Sequence, residues 1–196
     1  MNFLAHAFLS GEEDKELMVG NFVGDFIKGK QYEDYSKGIQ NGVLIHRAID
    51  EYTDTHPVVS QSKDRLRFKY RHYSGVIVDM AYDHFLAANW SAYHDTSLLD
   101  FTYQVYHEID QRLLFLPDRF THMFSYMKRD NWLFHYAELE GIHRALSGMS
   151  RRTTFDSKME EATQDLQDQY KDFEADFTQF IPDVIRFSAQ WLEKNL

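Results

Sequence analysis

The chain has 196 residues and a mass of 23.3 kDa, enough to enclose one hydrophobic core and too few for two ordinary domains. With 43% apolar and 16% aromatic residues it is neither disordered nor of low complexity, while 31 acidic against 21 basic residues give a net charge of −10, which argues against general nucleic-acid binding and against attraction to anionic membranes. Cysteine is absent, which excludes disulfide scaffolds, thiolate metal sites, iron–sulfur clusters and cysteine nucleophiles, so any metal needs histidine and carboxylate ligands.

In chain order, Met1–Ser10 is apolar but lacks a basic leader and a cleavage site, and Gly11 followed by Glu12, Glu13 and Asp14 ends it, so it does not read as a signal peptide. No run approaches the roughly 20 apolar residues of a membrane helix. With a mean hydropathy of −0.54, a soluble, cytoplasmic protein is expected. Only Pro57, Pro117 and Pro182 interrupt the chain, and apolar residues recur three or four apart, the period of helices. The first predicted helix runs from Glu12 to Lys28, on the stripe of Leu17, Met18, Phe22, Val23, Phe26 and Ile27, and stops at Gly29. A second spans Ile39–Thr53 and closes at His56-Pro57, because the residue before proline is pushed out of helical geometry. Val59–His72 and the very apolar Val76–Trp90 follow, then Leu98–Leu116, Arg119–Met127, Asn131–Leu146, and Phe155–Leu196 with a break near Pro182. No linker or repeat divides them. The expected fold is all-α, one bundle of about eight helices over residues 1–196.

Three stretches carry ionisable groups among apolar ones. In Val78-Asp79-Met80-Ala81-Tyr82-Asp83-His84-Phe85-Leu86, Asp79 and Asp83 share a helix face and His84 lies about 100° round from Asp83. Burying such charges requires pairing or a metal. The two readings are a metal site, or a carboxylate capping a neighbouring helix beside a histidine hydrogen-bonded in the core. In the second stretch His46 and Asp50 share one stripe, as a metal ligand with its carboxylate support or as a plain His–Asp pair, with Arg47 as a candidate phosphate fork. The third, Gly20-Asn21-Phe22-Val23-Gly24-Asp25-Phe26, accepts two glycines in a helix at about 1 kcal/mol each, which points to a close approach. His6 stands alone among apolar neighbours. Phosphate-binding glycine loops, a nucleophile elbow and the HExxH zinc motif are missing. Glu140-x-x-His143 is a single copy of a motif that di-iron carboxylate bundles need twice.

Met1-Asn2-Phe3-Leu4-Ala5-His6, Gly20-Asn21-Phe22-Val23-Gly24-Asp25-Phe26, His46-Arg47-Ala48-Ile49-Asp50 with Thr53-Asp54, Asp79 with Tyr82-Asp83-His84-Phe85-Leu86, and Gly148-Met149-Ser150-Arg151-Arg152 together give the chain a resemblance to the acyl carrier protein phosphodiesterase family, nearly end to end. The resemblance implies a divergent HD-type phosphohydrolase. It would hydrolyse the phosphodiester joining 4′-phosphopantetheine to a serine of holo acyl carrier protein, with Mn²⁺ as the usual metal and Mg²⁺ or Fe²⁺ as alternatives. On that footing Asp25, His46, Asp83 and His84 are the expected ligands, hard or borderline donors suited to such ions. The metal would activate a water and polarise a phosphoryl oxygen, Asp79 or Asp50 would orient or deprotonate that water, and His6 would support the ligands from behind. Arg47, Arg151 and Arg152 would offset phosphoryl charge. The implied partner is acidic, like this chain, so the stretch Lys63–Arg71, five basic residues against one acidic, is the expected docking patch, with Arg67 and Arg71 on one stripe. The rival readings are an HD-type enzyme for a nucleotide or other small phosphoester, and a helical binding module without catalysis.

Overall fold

The structure, a computed structural model, describes residues 1–196 and contains helices and no strands. Eleven α-helices follow one another: α1 Phe3–Phe8, α2 Lys15–Val23, α3 Lys37–Thr55, α4 Pro57–Tyr70, α5 Ser74–Ala88, α6 Leu98–Asp110, α7 Asp118–Arg129, α8 Trp132–His135, α9 Leu139–Ser150, α10 Ala162–Asp168 and α11 Tyr170–Asn195. The periodic pattern places the eight longest, and local chemistry sets several ends. Asp14 caps α2 by accepting from Leu17 N–H. His56 is extended and Pro57 opens α4 as its first helical residue, so the predicted boundary between α3 and α4 holds.

Several expectations change. The predicted helix Glu12–Lys28 runs only over Lys15–Val23, and Gly24–Phe26 forms a 3₁₀ turn, so Gly24 lies just outside the helix. Met1–Ser10 contains a helix, α1, too short to be stable alone. It stands because Asp83 of α5 accepts the N–H groups of Asn2, Leu4 and Ala5, the orphan donors at its first turn. Asn131–Leu146 divides into α8 and α9 around Ala137-Glu138, and Phe155–Leu196 divides at Gln169, not at Pro182. Pro182 lies inside α11 on an exposed position, and the carbonyl it leaves unbonded, on Thr178, is also on the exposed side where water can satisfy it.

One cluster of 49 buried hydrophobic residues, from Met1 to Val184, links all the long helices into a single core. Within it α2 and α3 approach unusually closely. A β-carbon on Gly20 would stand 2.3 Å from the Ile39 carbonyl oxygen, and one on Gly42 would stand 2.2 Å from that of Leu17. Gly20, noted in the sequence, therefore serves helix–helix contact, and Gly42 answers it from α3. The other end of the bundle is tied by buried Asp176 of α11, which accepts from Gln61, Ser62 and Arg65 of α4. No helix is long and apolar enough to cross a membrane.

Candidate metal centre

The close pairing of α2 and α3 and the docking of α1 across them bring His6, His46 and Asp50 together, with one ligand atom from each lying within 4.8 Å of the other two. His6 comes from α1, and His46 and Asp50 from successive turns of α3. Just beyond α2, the 3₁₀ turn Gly24–Phe26 places Asp25 at the edge, its carboxylate 3.6 Å from His46 Nε2. Gly24 makes the room, because a β-carbon there would lie 2.3 Å from His46 Cγ. The two imidazole rings stack, with centroids 4.0 Å apart.

Asn21, fully buried in α2, fixes both rings. Its side-chain Nδ2 donates to the His6 carbonyl and to Ser10 Oγ, which turns its Oδ1 to accept from His6 Nδ1 at 2.8 Å. Its main-chain oxygen accepts from His46 Nδ1 at 2.7 Å. With both Nδ1 atoms protonated, both Nε2 lone pairs face Asp50, one 3.2 Å from Oδ1 and the other 3.2 Å from Oδ2. Lone pairs of nitrogen and carboxylate oxygen at that distance repel unless a positive charge lies between them. His46 Nε2 is indeed a buried polar atom without a hydrogen-bond partner. Two imidazoles and one or two carboxylates, with no thiolate, form a donor set for a borderline or hard divalent cation.

Without a cation, the titration of the group reflects how its members pair with one another. Burial, with His46 beside it, depresses His6 to about 4, against the pull of Asp50. Burial also opposes charge on His46, but the carboxylates of Asp25 and Asp50 outweigh it and raise the ring to about 9. Asp50, which burial alone would raise, is held well below the usual carboxylate range by its bonds to His46 and His6, and Asp25 is lowered chiefly by His46. In the cation-free group a proton on His46 thus supplies the positive charge between ring and carboxylates, and a bound cation would take its place.

The four ligands expected from the sequence are not brought together. Asp25 and His46 face the group, whereas the Asp83 carboxylate, fully buried, is occupied by the first turn of α1. His84 points away from Asp83, with Nδ1 on the Tyr136 carbonyl at 2.8 Å and Nε2 on the Tyr170 hydroxyl at 3.0 Å. The contacts of these two are those of the helix-cap and core-histidine reading of their stretch, and the side chains that do converge are His6, His46 and Asp50, with Asp25 beside them. His6, expected behind the ligands, lies in the converging group itself. Asp79 accepts from the Met1 ammonium at 2.9 Å, so its carboxylate is engaged one turn of α5 before Asp83.

The arginines also separate. Arg47 is not a free fork, since Nη2 donates to the carbonyls of Ile27 and Gly29 and the guanidinium covers the Tyr32 ring, which fastens the segment after Asp25. Arg65 and Lys69 of the basic stretch bind Asp176 and Asp165 on α11 and α10, Lys63 binds Asp54, and Arg67 binds Asp64 on its own helix while remaining exposed. Arg71 lines a cavity beside Phe68, Tyr73 and Phe155. Arg151 and Arg152 lie at the end of α9, exposed, on a different cavity. Asn21 was visible in the sequence only as part of a motif; a buried asparagine flanked by glycine and phenylalanine was the available signal of its role.

Residues 1–184 match the family model described as acyl carrier protein phosphodiesterase. The chain is 37% identical over 183 residues to the acyl carrier protein phosphodiesterase of Photorhabdus laumondii, covering 93% of this chain and 92% of that one. It is 34% identical to the protein of the same name from Yersinia enterocolitica, with 93% and 94% covered, and 33% identical to that from Pectobacterium atrosepticum, with 96% and 97% covered. No solved structure matches the chain.

Proposed function

The chain belongs to the acyl carrier protein phosphodiesterase family, and from that premise we propose that it hydrolyses the phosphodiester between 4′-phosphopantetheine and a serine of holo acyl carrier protein, using a divalent cation at His6, His46 and Asp50. The carrying observation is the convergence of two imidazole Nε2 atoms and both oxygens of one carboxylate, with each ring fixed from behind by Asn21. Mn²⁺ is the first choice and Mg²⁺ or Fe²⁺ the alternatives. The fold is read as a divergent HD-type phosphohydrolase acting in the cytoplasm.

Exposure supports a substrate presented on a protein surface. The histidine side chains are buried, yet those of Asp50 and Asp25 are 39% and 70% exposed, so the centre opens outward instead of lying at the bottom of an enclosed pocket. Bound there, the cation supplies Lewis acidity to the phosphoryl group and lowers the pKa of a neighbouring water. Asn21 keeps the rings in the Nδ1–H tautomer, which presents the Nε2 lone pairs. Asp25, exposed at the rim, accepts the proton of the attacking water. The new oxygen–phosphorus bond forms in line with the bond that breaks, and the leaving serine oxygen takes a proton from solvent. Products are the free serine hydroxyl and a phosphomonoester. Asp50 holds the two histidines together throughout, and Asp79, engaged by the Met1 ammonium, steadies α1 from behind. Exposed Arg67 and Arg71 meet the acidic carrier at encounter.

The test is mass measurement of holo carrier protein incubated with enzyme and Mn²⁺. Loss of about 340 Da, the phosphopantetheine expected from this phosphodiester chemistry, is the predicted result, absent with chelator and in His46→Ala. An unchanged mass with metal-loaded wild-type enzyme refutes the proposal.

A further inference from the structure

Beside α9 lies a cavity of about 600 Å³ whose charge contrasts with that of the chain. Three arginines line it, Arg144, Arg151 and Arg152, spaced so that they fall along one face of α9 and its C-terminal turn. Arg151 and Arg152 each spend Nε on a carbonyl of their own helix, those of Ser147 and Gly148, and the Nη ends of both guanidinium groups have no hydrogen-bond partner in the protein. The single carboxylate in the lining, Asp130, is taken by a bidentate pair with Arg129. In a protein of net charge −10, three guanidinium groups around one concavity, of which only Arg144 feels the lining carboxylate Asp130, concentrate positive potential. Planar forks of this kind select phosphate and carboxylate oxygens.

The remaining wall is apolar and aromatic, formed by Phe3, Trp132 and Met149 among others. Phe3 is one turn before His6 on α1, and its ring stacks with that of Phe26, the neighbour of Asp25, so one cavity wall is linked through two aromatic rings to the turn that carries Asp25. A second feature is independent of charge. Gly148 lies inside α9, where glycine costs about 1 kcal/mol relative to alanine, and a β-carbon there would meet nothing within 4 Å. No packing contact requires glycine at this position; what its hydrogen preserves is open space in the cavity.

We propose that this cavity is a second binding site, for a phosphomonoester carried on an organic body, with the phosphate on the Arg144, Arg151 and Arg152 guanidinium groups and the body along Trp132, Phe3 and Met149. Its volume lies within the range that encloses ligands of this size, about 300–1,000 Å³. A phosphomonoester dianion suits three guanidinium groups better than a diester monoanion does. Two sources share the chemistry, the phosphomonoester that the proposed reaction would release and a nucleoside monophosphate. The choice of the first as leading probe rests on the proposed function; the charge and shape of the cavity do not.

The test uses the full chain in EDTA, without turnover, so that it stands or falls separately from the hydrolytic reading. 4′-Phosphopantetheine, pantetheine and AMP are titrated by calorimetry and by tryptophan fluorescence, with Trp132→Phe to assign the optical signal. Saturable binding of 4′-phosphopantetheine or AMP, but not of pantetheine, is expected, and the tighter of the two identifies the source. Arg144→Gln combined with Arg152→Gln should weaken it by about tenfold or more, from the loss of charge-assisted hydrogen bonds. Gly148→Leu should melt no lower than wild type and yet lose binding, since its β-carbon enters open space and its branch projects into the cavity. Pantetheine binding as tightly as its phosphorylated form, affinity indifferent to both variants, or no saturable binding of either phosphomonoester overturns the proposal.

Discussion

Replacing Asn21 by leucine tests the centre at the point where most of it converges. Leucine has similar size and fits a helix, but it removes the acceptor of His6 Nδ1 and the donor to the His6 carbonyl and Ser10 Oγ. The consequences are unequal. The His6 carbonyl and Ser10 Oγ keep each other, since Ser10 donates to that carbonyl at 2.8 Å, whereas His6 Nδ1–H is left buried with no acceptor. One orphaned donor costs about 1–3 kcal/mol and each of the other two bonds about 0.5–1.5. Burying the leucine side chain returns about 1.5–3. The net loss is about 2 kcal/mol, which for a chain of this size lowers Tm by about 4–8 °C. Metal binding should suffer more selectively. His6 becomes free to change tautomer and tilt, while His46 keeps its anchor because that acceptor is the Asn21 main-chain oxygen. Mn²⁺ affinity should therefore fall by about 10–100-fold without vanishing. Calorimetric titration of chelator-treated protein with MnCl₂, well below the melting transition and beside an Asn21→Asp control that retains an acceptor, measures it. Wild-type affinity in a folded Asn21→Leu protein would refute the claim that Asn21 presents the His6 Nε2 atom.

Gly24→Ala places a methyl group 2.3 Å from His46 Cγ and should displace that ring, with about 1–3 kcal/mol lost to overpacking and little Mn²⁺ bound; normal titration would show that His46 can shift at no cost to the site. Asp83→Ala should lower Tm strongly, by about 3 kcal/mol or more of stability, through the orphaned N–H groups of α1, whereas His84→Ala should leave Mn²⁺ affinity unchanged; loss of metal in a folded His84→Ala protein would restore the ligand set expected from the sequence. Arg47→Ala removes two bonds to carbonyls and should cost about 1–3 kcal/mol in melting experiments while KM for a small chromogenic phosphodiester stays near wild type; a large rise in KM would make Arg47 a substrate fork after all. Arg67→Glu with Arg71→Glu should slow carrier-protein hydrolysis at low salt and spare the small diester, because exposed charges act on encounter and are screened over about 10 Å at 0.1 M; equal losses on both substrates would place these residues in the fold or the site.

Much of the molecule is written in local sequence. The three- and four-residue spacing of apolar side chains sets the long helices, His56-Pro57 divides α3 from α4, and the two glycines of the Gly20–Phe26 stretch announce a close approach. His46 and Asp50 share a face because four residues is about one turn, and the absence of cysteine confines a metal to nitrogen and oxygen donors. The ordered motifs were enough to show a likeness to one family. What the sequence alone left open was which of its polar residues meet. Asp83 and His84 are adjacent, yet the roughly 100° between them on a helix aims one at the start of α1 and the other at Tyr136 and Tyr170. The choice between metal ligand and helix cap for Asp83 depends on an element about 80 residues away, and no local period reports what lies opposite a face. The same long-range contact creates the other half of the site. Six residues are too few to hold a helix by themselves, so α1 exists because α5 accepts its first N–H groups, and only then does His6 reach His46 and Asp50.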